Sequence, residues 1–248
     1  MHASFDRFPV RYARIAGIAY LAIILLGMFG EIAVRGTLVI AGNPAATLEA
    51  IAQAQPLWRA GIVGDLLMHV LDIPTIWIFY LLLKPVSHPL ALLSTLFNMI
   101  QTAVLVLNKM TLLVPVLILG QAHHLGAFTT EQLQAISYLA INAHGYGFGF
   151  GLIFFGFACL VRGYLIIQSG FLPKALGVLL LIAGACYLVN SFALLLAPAF
   201  AQAIFPAVLV PAFVGELCLA LWLLIKGVNL PQWYRRINEQ AGHENLSR

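Results

Sequence analysis

Apolar residues in this chain come in long runs instead of alternating with polar ones. Six stretches of about 18 residues or more carry few charges, at 15–40, 60–83, 89–119, 134–168, 174–197 and 204–226. A helix needs about 20 predominantly apolar residues to cross the hydrocarbon core of a bilayer, so each run predicts one spanning helix. The third and fourth are long enough to tilt or to extend past the bilayer. Unbroken runs also argue against a lipid-facing β-barrel, whose strands alternate. The expected fold is all-α, a polytopic membrane helix bundle of about six transmembrane helices.

Turn chemistry falls between the runs. Gly42-Asn43-Pro44 opens a polar stretch that lasts to Arg59 and is read as a loop, and 84–89 (KPVSHP) is a tight turn. A third break runs from Gly120 to Gln134, with a helix start at Thr130-Glu131-Gln132. Gly170-Phe171-Leu172-Pro173 makes the fourth, and 198–206 is apolar enough to lie in the interface. The adjacent His123-His124 reads as a loop dipeptide, because neighbours on a helix point about 100° apart.

Composition excludes a soluble domain. Charged residues make up 9% of the chain and hydrophobic ones 62%, where soluble proteins carry about 25% charged. The net charge of +4 is not a nucleic-acid signal, because the basic residues sit at the ends of apolar runs. Ten of the thirteen fall on one side of the expected bundle: Arg7, Arg11, Arg14, Lys84, Arg162, Lys174, Lys226, Arg235, Arg236 and Arg248. The positive-inside rule assigns that side, with both termini, to the cytoplasm. The chain then divides into a cytoplasmic segment 1–14, a transmembrane domain 15–226 and a cytoplasmic tail 227–248. Residues 15–40 are too long for the apolar core of a secretory leader and are expected to be a retained span. Trp58, Trp233 and Tyr234 suit an aromatic belt. Cys159, Cys186 and Cys218 lie inside apolar stretches and read as small fillers.

The chemistry lies in the few polar residues inside the runs. In GDLLMHVLDI, Asp65, His69 and Asp72 are spaced four and three apart and share one stripe of a helix. With the expected topology, Glu31, Arg35, Asp65, Lys109, His144, Asn190 and Glu216 all fall at middle-to-outer depth, and Asn98 and Gln101 deeper. Ionisable groups in a membrane usually face a bundle interior or water and mark sites or pathways. Asp65, His69, Asp72 and Glu216 are the candidates for catalysis; Glu31, Arg35, Lys109, His144 and Asn190 are the candidates for binding. The competing explanation is structural. Glu31 and Arg35 are spaced to neutralise each other, Asp65 could pair with Lys109 or Arg35, and Asn98, Gln101 and Asn190 could be interhelical glue. Glycines 145, 147, 149 and 151, in GYGFGFG after His144, have the spacing of close helix packing.

The stretches ARIAGIAYLAIILLGMFGE, LWRAGIVGDLL and GFGFGLIFFGFACLVRGYLIIQSGFLPKALGVLLLIAGACYLVNS resemble an uncharacterised family of bacterial multi-pass membrane proteins, a domain of unknown function. The likeness covers most of residues 13–225, with GFLPKALG its most specific piece. It implies membrane location and the span count; the location expected for the chain is the bacterial cytoplasmic (inner) membrane. It implies no activity, so no residue role follows from it.

Three functions are open on these residues. One is an intramembrane enzyme acting on a lipid or small apolar substrate. Asp65, His69, Asp72, His144 and Glu216 would then be the pool for a divalent metal, although no HExxH, HxxEH or paired ExxH motif is present. Another is a small transporter or ligand-binding membrane protein using buried carboxylates and histidine. The last is a non-catalytic accessory subunit. The expected partners are membrane lipid and an apolar small molecule, not nucleic acid.

Overall fold

The computed structural model describes residues 9–120 and 125–246, with side chains described through Glu239, so that His123 and His124 lie outside the described residues. Nine helices are described in chain order: α1 (Pro9–Leu38), α2 (Pro44–Gln53), α3 (Gln55–Leu83), α4 (His88–Gly120), α5 (Thr130–Ser169), α6 (Lys174–Leu196), α7 (Pro198–Ile204), α8 (Val210–Ile225) and α9 (Leu230–Leu246). Residues Phe29–Arg35 of α1 are wound as a π-helix, and a 3₁₀ turn, Ala207–Leu209, leads into α8. Six of these helices are long and apolar enough to cross a membrane: α1, α3, α4, α5, α6, and α8 with its leading turn. Among the described residues there is no strand. The chain is an all-α bundle with six candidate spans. One end of the bundle, here the terminal end, collects the start of α1, the turns 84–87 and 170–173, and the end of α8. The opposite loop end carries α2, the start of α5 and α7.

The stretch 42–59, expected to be a loop, is mostly helical. Asn43 caps α2, its side-chain oxygen accepting the Ala46 N–H at 3.0 Å, and Pro44 takes the first helical position, where its missing N–H costs nothing. Thr47, Leu48 and Ile51 form the buried stripe of this short helix. Its polar outer face is what hides it in the sequence. The start of α5 does follow the expected signal. The Thr129 hydroxyl accepts the Gln132 N–H at 3.3 Å, and the Gln132 side chain accepts the Thr129 N–H at 2.8 Å.

Every spanning helix turns large apolar side chains outward, among them Leu25, Val70, Leu107, Leu139, Leu196 and Ile225, all more than half exposed. Such a surface is a liability in water and neutral against lipid tails. Inside, α5 and α6 approach through glycine. A Cβ on Gly177 would stand 2.6 Å from the Gly163 carbonyl oxygen, and one on Gly163 would stand 2.7 Å from that of Gly177. Seven residues along each helix, Gly156 and Gly184 repeat the arrangement at 3.0 and 2.7 Å. Of the glycines expected to pack, Gly147, Gly149 and Gly151 face Asn108, Leu194 and Leu105, while Gly145 faces open space.

Two residues expected in an aromatic belt are core residues instead. Trp58 is 1% exposed and its indole N–H donates to the Leu112 carbonyl at 2.9 Å. Trp233 is fully buried, edge-on to Phe171 at 4.9 Å between ring centroids. Inside the bundle the Trp58 indole finds the hydrogen-bond acceptor that a buried N–H requires. Tyr234 is exposed.

Candidate functional site

Asp65 lies on α3 near the loop end and is 1% exposed. Its Oδ2 accepts a hydrogen bond from Arg35 Nη1 of α1 at 2.7 Å and lies 3.0 Å from Lys109 Nζ of α4. Arg35 also donates from Nε to Glu31 at 2.8 Å, and that carboxylate reaches outward with its side chain 64% exposed. Lys109 continues the chain inward, its Nζ 3.2 Å from His144 Nε2 of α5. An ammonium only donates, so His144 Nε2 is the acceptor and the ring proton sits on Nδ1. Asn108 fixes the same turn of α5 by donating to the His144 carbonyl at 2.9 Å. Two cations and two carboxylates balance in charge, three of the four drawn out of water.

Local backbone makes room for this cluster. Glu31 and Arg35 both sit on the π-helical segment of α1, a winding that recurs at functional sites. A Cβ on Gly30 would run into Asp65 Oδ1 and stand 3.1 Å from Arg35 Nη2. Gly30→Ala is therefore expected to push the carboxylate off Arg35 and lower stability by about 1–3 kcal/mol, the usual cost of overpacking. Thermal unfolding in detergent checks this; an unchanged midpoint contradicts it.

One turn deeper on α3, about 6 Å along the axis, a second cluster begins. His69 Nδ1 lies 3.0 Å from Asp72 Oδ2, and the Thr102 hydroxyl of α4 donates to the same oxygen at 3.3 Å. Thr102 also reaches Gln101 Oε1 at 3.4 Å, Asn98 donates to that oxygen at 2.7 Å, and Arg162 of α5 donates to Asn98 Oδ1. The Arg162 guanidinium stacks over the Phe79 ring, 4.5 Å from its centroid. His69 Nε2 and Arg162 Nε are both buried with no protein partner. A third group joins α6 to α8, where the Tyr187 hydroxyl donates to Glu216. Asp72 and Arg162 are among the charges that act on Glu216, and the buried Tyr20 hydroxyl stands beside it.

The expected site residues thus separate into groups. Glu31, Arg35, Asp65, Lys109 and His144 come together; His69 and Asp72 form a pair of their own; Glu216 is held by Tyr187. Asn190 is buried on α6 but shares no hydrogen bond with any of them. The Asp65–His69–Asp72 stripe therefore splits, its first acid turning to the cations of α1 and α4. The proposed metal pool of Asp65, His69, Asp72, His144 and Glu216 does not assemble. Among the described residues no three His, Cys, Asp or Glu side chains are placed to hold a metal ion. The reason is electrostatic, since Asp65 is engaged by two cations that would repel a third.

Arg162 needs the largest revision. Expected as a flanking charge, it is 3% exposed inside α5. The apolar residues on both sides of it, FFGFACLV before and GYLII after, were the signal that it lies within the span. Thr102, Tyr187 and Tyr20 were also missed, since nothing in a single helix sets them apart. A recess of about 280 Å³ lies elsewhere, at the terminal end beside Phe171 and Lys226.

Buried or half-buried polar side chains on all six apolar spans define the class: a multi-pass α-helical membrane protein with intramembrane polar groups. The chain belongs to the family described as Domain of unknown function (DUF4386), whose profile matches residues 15–227. It is similar to an uncharacterized protein of Archaeoglobus fulgidus, 29% identical over 171 residues, which cover 69% of this chain and 86% of that one. No solved structure matches it.

Proposed function

We propose that this chain carries protons across the membrane through its buried titratable side chains, as a small transporter. One observation carries the proposal: the groups able to take a proton form successive clusters, the first around Asp65 and the second beginning one turn further along α3 at His69. Asp65 touches Lys109, Lys109 touches His144, His69 lies one turn below Asp65 and pairs with Asp72, and the Asp72 charge acts on Glu216 through space. Chains of carboxylate and imidazole in membrane helices are the usual proton relays. Thr102, Gln101, Asn98 and Arg162 hold Asp72 in place and do not themselves carry the proton. The free Nε2 of His69 gives the ring a second face to exchange a proton when it rotates or meets water. Leu82, Leu83, Leu165, Ile166 and Phe171 close the terminal half, so passage requires that end to open, as in alternating access.

The basic residues gathered at the terminal end support placing that end in the cytoplasm and the bundle in the inner membrane of a bacterium. An intramembrane enzyme draws less support from this geometry, because its metal pool is divided. Proton flux in proteoliposomes under an imposed membrane potential tests the proposal. Wild type is expected to acidify the lumen faster than empty vesicles, and Asp72→Asn to reduce the rate at least tenfold. Flux equal to that of empty vesicles, or an unaffected Asp72→Asn, contradicts it.

A further inference from the structure

We propose that the recess at the terminal end holds the headgroup of an anionic phospholipid. The cavity of about 280 Å³ lies between the turn 170–173 and the turn 226–229. The Asn229 N–H donates to the Phe171 carbonyl at 3.0 Å and ties the two turns together. Each turn reverses on a glycine in the left-handed region, Gly170 at φ 75° and Gly227 at φ 68°, a conformation other residues rarely adopt. Buried Phe171, Leu172 and Val228 form an apolar floor. Trp222 and Lys226 stand on the wall, four residues apart on one face of α8.

The charge on the lining of this recess has one sign. No acidic residue lines it, and Lys226 is exposed with no ion pair among the described residues. Lys174 follows the lining residue Pro173 directly, whereas Arg236 of α9, which donates to the Gln168 carbonyl at 3.2 Å, is already paired with Glu239 at 3.1 Å. Membrane topology alone accounts for basic residues at this end. It does not account for a concavity with a lysine on its wall and an apolar floor beneath. That combination matches a phosphodiester attached to a glycerol backbone: the phosphate oxygens accept from the ammonium, and the glycerol and first acyl carbons lie against the half-exposed Trp222 and Pro173. The recess sits where α5 and α8 end and α6 begins, at headgroup level for a bundle crossing the bilayer. A free phosphate ion would use the lysine and leave the floor bare. The inference is independent of proton transport.

Native mass spectrometry of the purified full chain, offered equal amounts of phosphatidylglycerol and phosphatidylcholine, reads the preference directly. Wild type is expected to retain phosphatidylglycerol, and Lys226→Gln to lower that preference about fivefold, the effect of one basic group near a membrane surface. Arg14→Gln removes the same charge from an exposed position at the same end of α1 and is expected to leave the preference unchanged. Equal retention of the two lipids by wild type overturns the proposal, as does an equal fall in both variants, which would mean general surface charge. Displacement of the lipid by millimolar inorganic phosphate overturns the lipid assignment in favour of the free ion. Lys226 is exposed, so the variant's thermal midpoint is expected to match wild type, which keeps a binding loss distinct from misfolding.

Discussion

Asp65→Ala is expected to destabilise the bundle by about 3–5 kcal/mol, the usual result of removing one partner from a buried ion pair. In the wild type, Arg35 and Lys109 share the Asp65 carboxylate, and Arg35 has Glu31 in addition. Losing the carboxylate leaves Arg35 with Glu31 but strands Lys109, 3% exposed, with only a neutral imidazole beside it. The cost therefore belongs mainly to the uncompensated ammonium. A second substitution distinguishes this account from simple loss of packing. Asp65→Ala combined with Lys109→Met restores charge balance and is expected to be about 2 kcal/mol more stable than Asp65→Ala alone. Denaturant titration in mixed micelles measures both. If the double variant is less stable than the single one, the electrostatic account of this cluster fails.

Gly177→Leu is expected to prevent assembly altogether. The added side chain meets the Gly163 backbone carbonyl on α5, and backbone in the middle of a helix cannot step aside as a flexible side chain does. Helix association in lipid gains nothing from hydrophobic exclusion, so close backbone approach is what holds α5 to α6. Forcing them apart also moves Arg162, which lies beside Gly163, and Tyr187, three residues beyond Gly184. Gly145→Leu is the matched control, because a Cβ there meets nothing within 4 Å. Size-exclusion profiles of the two variants in mild detergent decide the matter. A monodisperse, wild-type peak for Gly177→Leu contradicts the packing account.

The bundle was legible because lipid imposes one rule on every span, a run of apolar residues long enough to cross. Residues whose role depends on a neighbour were harder to read. Lys109 could have snorkelled or paired, and its own helix does not say which; Asp65 across the interface decides. Arg162 lies toward the terminal end of α5 as expected, but its burial was not foreseen, because a positive charge is the ordinary mark of a span's end. It is retained inside by Asn98 and Phe79, contacts that no spacing on α5 reveals. Gly163 and Gly177 lie far apart from any GxxxG signal, and their importance appears only once the two helices are set together. Conversely, Trp58 had the right position for an interfacial anchor and was drawn inward by a carbonyl on α4. The candidate site was visible as a depth, and its division into groups was not.

Proton flux through single and combined variants tests the central claim most directly. His69→Gln and Glu216→Gln change no volume to speak of and remove one proton carrier each, on α3 and α8. If the titratable groups act in one series, either substitution blocks the path, and the double variant is expected to be no slower than the slower single one. Losses that multiply in the double variant, or wild-type flux in either single variant, would show that these side chains do not lie on one route.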